Sequence, residues 1–108
     1  LFYKDVQDYK LRQGITTEVG GNCGFTAAPL NSSTAEALKK YTAFITPPQG
    51  VTWNWRTFSE YLEAVDMSGP PTNLAPLVGH GTVRIAVMGF QQRKPTHNEL
   101  RKMQALVE

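Results

Sequence analysis

Two short runs that break at glycine limit what this chain can fold into. Ile15-Thr16-Thr17-Glu18-Val19 is rich in β-branched residues and runs into Gly20-Gly21-Asn22-Cys23-Gly24, and the apolar run Asn73-Leu74-Ala75-Pro76-Leu77-Val78 stops at Gly79-His80-Gly81. Each reads as a strand closed by a turn that needs glycine freedom, the first of them buried. Pro76 counts against the second, because proline cannot donate to a strand ladder. Helical patterns lie before, between and after the two runs. That order, helix, strand, helices, strand, helix, implies parallel strands with helices packed outside, which is an α/β fold.

The helices announce their own ends. Val6, Tyr9, Lys10 and Gln13 lead to Gly14, suited to the left-handed position after a helix. Ser33 with Glu36, Thr57 with Glu60, and Thr96 with Glu99 each have the spacing of a capping box, in which a hydroxyl and a carboxylate satisfy each other's backbone N–H. After the first box, Ala35, Leu38, Thr42 and Ile45 share one face up to Pro47-Pro48. After the second, Phe58, Tyr61, Leu62 and Val65 repeat at helical spacing up to Gly69-Pro70-Pro71, and after the third, Leu100, Met103, Leu106 and Val107 do the same. Val83, Ile85 and Val87 fit either a strand or a turn of helix. Trp53 and Trp55, in the longest irregular stretch, either cover the two flanking helices or line a substrate mouth, and the covering role is favoured because aromatics supply large buried area.

With 108 residues, 41% of them hydrophobic, the chain is one small domain or a piece of a larger one, with too little length for two cores. Eleven basic against nine acidic residues, with both signs scattered, give no footprint for nucleic acid. No apolar stretch approaches the roughly 18 residues that span a bilayer, so no membrane partner is expected. One cysteine excludes an internal disulfide framework and suits a reducing compartment, so the cytoplasm is the expected location. The absence of an initiator Met and the helical pattern still running at Glu108 are read as signs of an excerpt from a longer protein.

Few residues here could carry chemistry. Cys23, between glycines just past a strand, could approach a metal without obstruction; the alternative is a small buried hydrophobe. His80 holds the matching place after the second strand, or else is a loop histidine that orders the strand end. Polar groups at the carboxyl ends of parallel strands lie where α/β enzymes hold their sites. Arg84 reads as an anion clamp or a structural ion-pair partner, and His97 as a solvated residue in the first turn of the last helix.

The run from Gly14 to Gly24 resembles the Gly-(Val/Ile)-Thr-Thr-x-x-x-Gly-Asn-Cys-Gly signature of the N-acyl-D-amino-acid deacylases, or D-aminoacylases, of the metal-dependent amidohydrolase superfamily. Ala28-Pro29, Thr57-Phe58-x-x-Tyr61-Leu62, the run from Asn73 through Gly79-His80-Gly81-Thr82-Val83-Arg84, Val87-Met88-Gly89 and Glu99-Leu100-x-x-Met103 are similar to the same family in the same order. The resemblance implies that residues 1–108 are a partial amidohydrolase domain, a fragment of a (β/α)8 TIM-type barrel from its first helix through its second and third strands to its third helix. It implies a zinc-dependent hydrolase that cleaves N-acyl-D-amino acids to a carboxylate and a D-amino acid. Cys23 matches the metal-ligand cysteine, while Asn22, His80 and Arg84 would stand near the site in support. The family's His-x-His motif, its other histidine ligands and its catalytic Asp match nothing here, so no catalytic residue is assigned and the fragment alone is expected to be inactive and prone to self-association. Two competing readings are another amidohydrolase of the dihydroorotase or hydantoinase type, and a non-enzymatic α/β interaction domain.

Overall fold

The computed structural model describes residues 8–44 and 51–108. In chain order the elements are α1 (Asp8–Arg12), β1 (Thr17–Gly20), α2 (Ala35–Tyr41), α3 (Phe58–Met67), β2 (Asn73–Pro76), α4 (His80–Met88) and α5 (His97–Ala105). The expected alternation is present, and β1 and β2 pair in parallel, Thr17 opposite Asn73 and Gly20 opposite Pro76. Pro76 is tolerated because it sits at the last paired position, and the next N–H, from Leu77, donates to the carbonyl of Gly20 at 2.8 Å. Asn73 begins the ladder with its N–H on the carbonyl of Thr16 at 2.9 Å.

The first strand is not buried. Val19 is 59% exposed and Ile15 41%. Among the described residues the sheet has two strands, whereas parallel sheets normally gain their burial from cover on both faces. Leu77 is likewise half exposed.

The principal core lies beside the sheet. Ala27, Ala28, Trp55, Tyr61 and Val65 are buried together, with Leu30, Val51, Trp53, Phe58, Ala64 and Leu74 packed against them. Trp55 donates its indole N–H to the carbonyl of Ala27 at 2.8 Å, stacks on Trp53 at 5.5 Å and meets Tyr61 edge-on at 5.3 Å. This is the covering role expected of the tryptophans. Burial pushes the Tyr61 hydroxyl up to about 12, because the phenolate would lose its hydration. Neither a cleft of about 430 Å³ beside Arg56 and Lys102 nor one of about 700 Å³ against α3 and β2 is lined by either tryptophan.

Two of the three capping boxes form. Thr57 accepts from the Glu60 N–H at 3.1 Å while the Glu60 carboxylate accepts from the Thr57 N–H, also at 3.1 Å, and Thr96 and Glu99 repeat the exchange at 3.3 and 2.7 Å. The Ser33 box does not form. Helix α2 starts one residue later, with Thr34 as N-cap and no side-chain cap bond. Asn31 Oδ1 takes both the N–H and the hydroxyl of Ser33, its amide donates to the carbonyl of Ala86 at 3.2 Å, and Glu36 pairs with Lys39. A tertiary anchor on α4 thus displaces the local cap. Helix α2 ends at Tyr41, and the expected stop at Pro47-Pro48, with Ile45, lies outside the described residues, as does Val6 of the first helix.

The segment that fitted either structure is helical. Val83, Ile85, Ala86 and Met88 are buried on α4. Helix α5 buries none of its residues, and Leu100 is 44% exposed. Among the described residues no helix is long and apolar enough to cross a membrane.

Candidate functional site

The carboxyl end of the sheet carries the candidate site. Past β1, the Gly24 N–H donates to the carbonyl of Gly21 at 3.0 Å, which closes a four-residue turn with Asn22 and Cys23 at its tip. Gly21 and Gly24 have φ of 89° and 80°, values that L side chains rarely adopt. Asn22 and Cys23 are both exposed, and Cys23 is a free thiol. The buried-hydrophobe alternative for this cysteine does not hold.

Past β2, Gly79 is the N-cap of α4 and His80 its first residue, also exposed. At Gly79, whose φ of −75° suits any residue, glycine is required by space. A Cβ on Gly79 would lie 2.7 Å from the Gly24 carbonyl oxygen and 2.9 Å from the Thr26 nitrogen, and one on Gly21 would lie 2.5 Å from the Leu77 carbonyl oxygen. The two strand-end loops therefore touch backbone to backbone. The Gly81 N–H donates to the Gly24 carbonyl at 3.0 Å, which joins the loop of Cys23 to the first turn of His80's helix.

Sequence reasoning missed two residues in this junction. Thr82, fully buried, donates its hydroxyl to the carbonyl of Thr26 at 2.8 Å and accepts from the Thr26 N–H at 3.0 Å. Thr26, also buried, donates its own hydroxyl to the Ala28 carbonyl at 2.6 Å and accepts from the Gly79 N–H at 3.1 Å. The only hint in the sequence was that both follow the glycine runs, because a pairing 56 positions apart leaves no local pattern.

Among the described residues Arg84 makes backbone contacts in place of a structural ion pair. Its guanidinium donates to the backbone carbonyls of Gln91 at 3.0 Å and Arg93 at 2.7 Å, holding the α4–α5 connection. His97 is exposed at the start of α5, as expected.

The resolved charge effects lie away from the strand ends. Glu18 is held below the usual carboxylate range by the Lys10 ammonium and then by the Thr72 hydroxyl. Glu99 is held well below it by Arg93 and by the Thr96 N–H, and Glu60 by the N–H groups of Arg56 and Thr57.

Catalytic zinc takes three protein ligands and keeps one position open. Among the described residues no three of His, Cys, Asp and Glu lie together as a metal group. The donor chemistry at the strand ends is thus one soft thiol, with one imidazole at the first residue of α4, and these cannot complete such a site by themselves.

The exposed Asn22, Cys23 and His80 stand at the carboxyl ends of two parallel strands, the face on which α/β enzymes hold their sites. No protein-family model matches the chain. It is similar to a D-aminoacylase of Alcaligenes xylosoxydans xylosoxydans, with 36% identity over 99 residues, covering 92% of this chain and 19% of that protein. A solved D-aminoacylase described as defining a novel subset of amidohydrolases superposes with a TM-score of 0.71 at 37% identity, over 97% of this chain and 21% of the other. An N-acyl-D-glutamate deacylase from Bordetella bronchiseptica, solved with zinc and a phosphonate mimic of the tetrahedral intermediate, gives 0.68 at 34% identity, over 98% of this chain and 22% of the other. The chain spans about a fifth of the length of these relatives. The resemblance drawn from the Asn-Cys-Gly and Gly-His-Gly runs is borne out: over nearly its whole length the chain is similar to N-acyl-D-amino-acid deacylases.

Proposed function

We propose that this chain is part of a zinc-dependent hydrolase that cleaves the amide bond of N-acyl-D-amino acids, releasing a carboxylate and the free D-amino acid. Residues 1–108 would form a contiguous part of one amidohydrolase (β/α)8 barrel domain, from its first helix to its third. The observation that carries the reading is the similarity over nearly the whole chain, 37% identity at a TM-score of 0.71, with the Asn-Cys-Gly turn exposed at the strand end.

In this reading Cys23 is one metal ligand. A metal bound there supplies Lewis acidity toward the amide carbonyl and lowers the pKa of water. The chain's own part is to hold the Cys23 sulfur at the tip of a glycine-framed turn, open on its outer side. Asn22 and His80 flank that position on the same end of the sheet. Arg84 supports it only indirectly, by bracing the far end of α4. The ligands that complete the metal site would come from parts of the parent protein beyond this segment. A free exposed thiol suits a reducing compartment, and we take the cytoplasm as its location.

The test is Cys23→Ala in the full-length parent, with bound zinc measured by plasma mass spectrometry and hydrolysis followed on an N-acetyl-D-amino acid. Zinc content should fall well below one equivalent and hydrolysis should drop by at least about a hundredfold, as expected when a metal ligand is lost. Full zinc content with full activity would reject the ligand role. Turnover of a cyclic ureide in place of the acylated amino acid would reject the substrate class.

A further inference from the structure

We propose that Thr82 and Thr26 form a latch that positions the Cys23 turn against the start of α4; this rests on the reading of Cys23 as a metal ligand. One hydroxyl, that of Thr82, satisfies both backbone groups of Thr26, at 3.0 and 2.8 Å. It does for this loop what a neighbouring strand does elsewhere, where each residue's N–H and C=O find partners. The second hydroxyl, that of Thr26, returns the contact by accepting from the Gly79 N–H at 3.1 Å. A fourth bond, from the Gly81 N–H to the Gly24 carbonyl, lies one residue from Cys23 in sequence.

The arrangement leaves little slack. Thr82 is fully buried and Thr26 nearly so, which makes each bond costly to leave unmade. Gly21, Gly79 and Gly81 allow the backbones to approach so closely that a Cβ on any of them would meet the opposite chain at 3.1 Å or less. Cys23 itself is exposed at the turn tip. Its position is therefore set from beneath, by residues on α4 that need touch neither metal nor substrate. Thr26 and Thr82 are positioning residues, comparable in effect to the groups behind metal ligands, whose loss typically weakens metal binding about 10- to 100-fold.

The experiment uses the full-length parent with Thr82→Val, which keeps the shape and removes both bonds, and Thr82→Ser, which keeps the hydroxyl. Zinc affinity is read by competition with a chromophoric chelator, and the alkylation rate of Cys23 in the zinc-free protein by peptide mass spectrometry. Thr82→Val should weaken zinc at least about tenfold and change the alkylation rate severalfold, and Thr82→Ser should restore both to within about twofold. A folded Thr82→Val protein with zinc affinity and alkylation unchanged overturns the latch. Should Thr82→Val not fold, the same readouts on Thr26→Val decide, a weaker zinc site supporting the latch and unchanged values overturning it. Cys23→Ala separates the two proposals. If it binds zinc as the wild type does, the ligand reading fails while the alkylation rate still tests the latch; if it loses zinc and Thr82→Val does not, the latch alone fails.

Discussion

The strand-end junction and helix α5 are held in opposite ways. Around residues 20–26 and 77–82, backbone meets backbone, the two threonines are buried, and the bonds cross 56 positions of sequence. Helix α5 has no fully buried residue, and its side-chain hydrogen bonds are local: the Thr96–Glu99 box and the two-point grip of Arg93 on Glu99 at 2.8 and 2.6 Å. The junction is closely packed because short backbone contacts and long-range hydrogen bonds coincide there. The helix is defined by groups three to six residues apart, and Leu100 on it is 44% exposed. A site that must hold one sulfur in place is better built on the first kind of structure than on the second.

Glycine substitutions break the comparison most sharply. Gly79→Ala in the full-length parent drives a Cβ to within 3 Å of the Gly24–Thr26 backbone and should cost about 3 kcal/mol, read as a fall in the urea midpoint. Gly14→Ala is the control, with positive φ but nothing within 4 Å, and should cost only about 1 kcal/mol. Equal effects would mean that the close approach at the junction is unimportant.

A smaller effect is expected at α5. Thr96→Ala removes an N-cap and should cost about 1 kcal/mol, fraying the first turn by hydrogen exchange while the alkylation rate of Cys23 stays unchanged. A changed rate would show that the two regions are coupled.

The smallest effect is that of acid. Glu18, Glu60 and Glu99 titrate below their ordinary value in the folded chain, so their contribution is complete above about pH 4.3 and is lost as pH falls through the lower, folded values. The urea midpoint should therefore drop between pH 5 and pH 2, and the doubly neutral Glu60→Gln, Glu99→Gln protein should show a shallower drop. Because these carboxylates lie at or near the surface, the difference should shrink in high salt. An undiminished drop would assign the acid sensitivity to other groups.

Much of the fold could be read from local chemistry. The Thr57 and Thr96 boxes, the left-handed Gly14 and the parallel order of the strands depend on residues close in sequence or on simple alternation, and they stand as expected. The Asn-Cys-Gly turn was legible for the same reason, since glycine on either side leaves few other backbones. Where a distant partner competes, local reading failed. Ser33 lost its cap to an asparagine tied to α4, and Arg84 turned to backbone carbonyls that no ion-pair rule foresees. The burial expected of β1 failed because it needs cover on both faces of the sheet.

By itself, the sequence determined where α3 and α5 begin, which way the strands run and which thiol stands past the first of them, because those depend on interactions spanning a few residues or on simple alternation. Tertiary structure alone decided that Val83 to Val87 is helix and that Thr26 and Thr82 clasp the loop of Cys23. Such contacts join residues tens of positions apart, and a hydroxyl's partner is settled only when packing has brought the two backbones within reach.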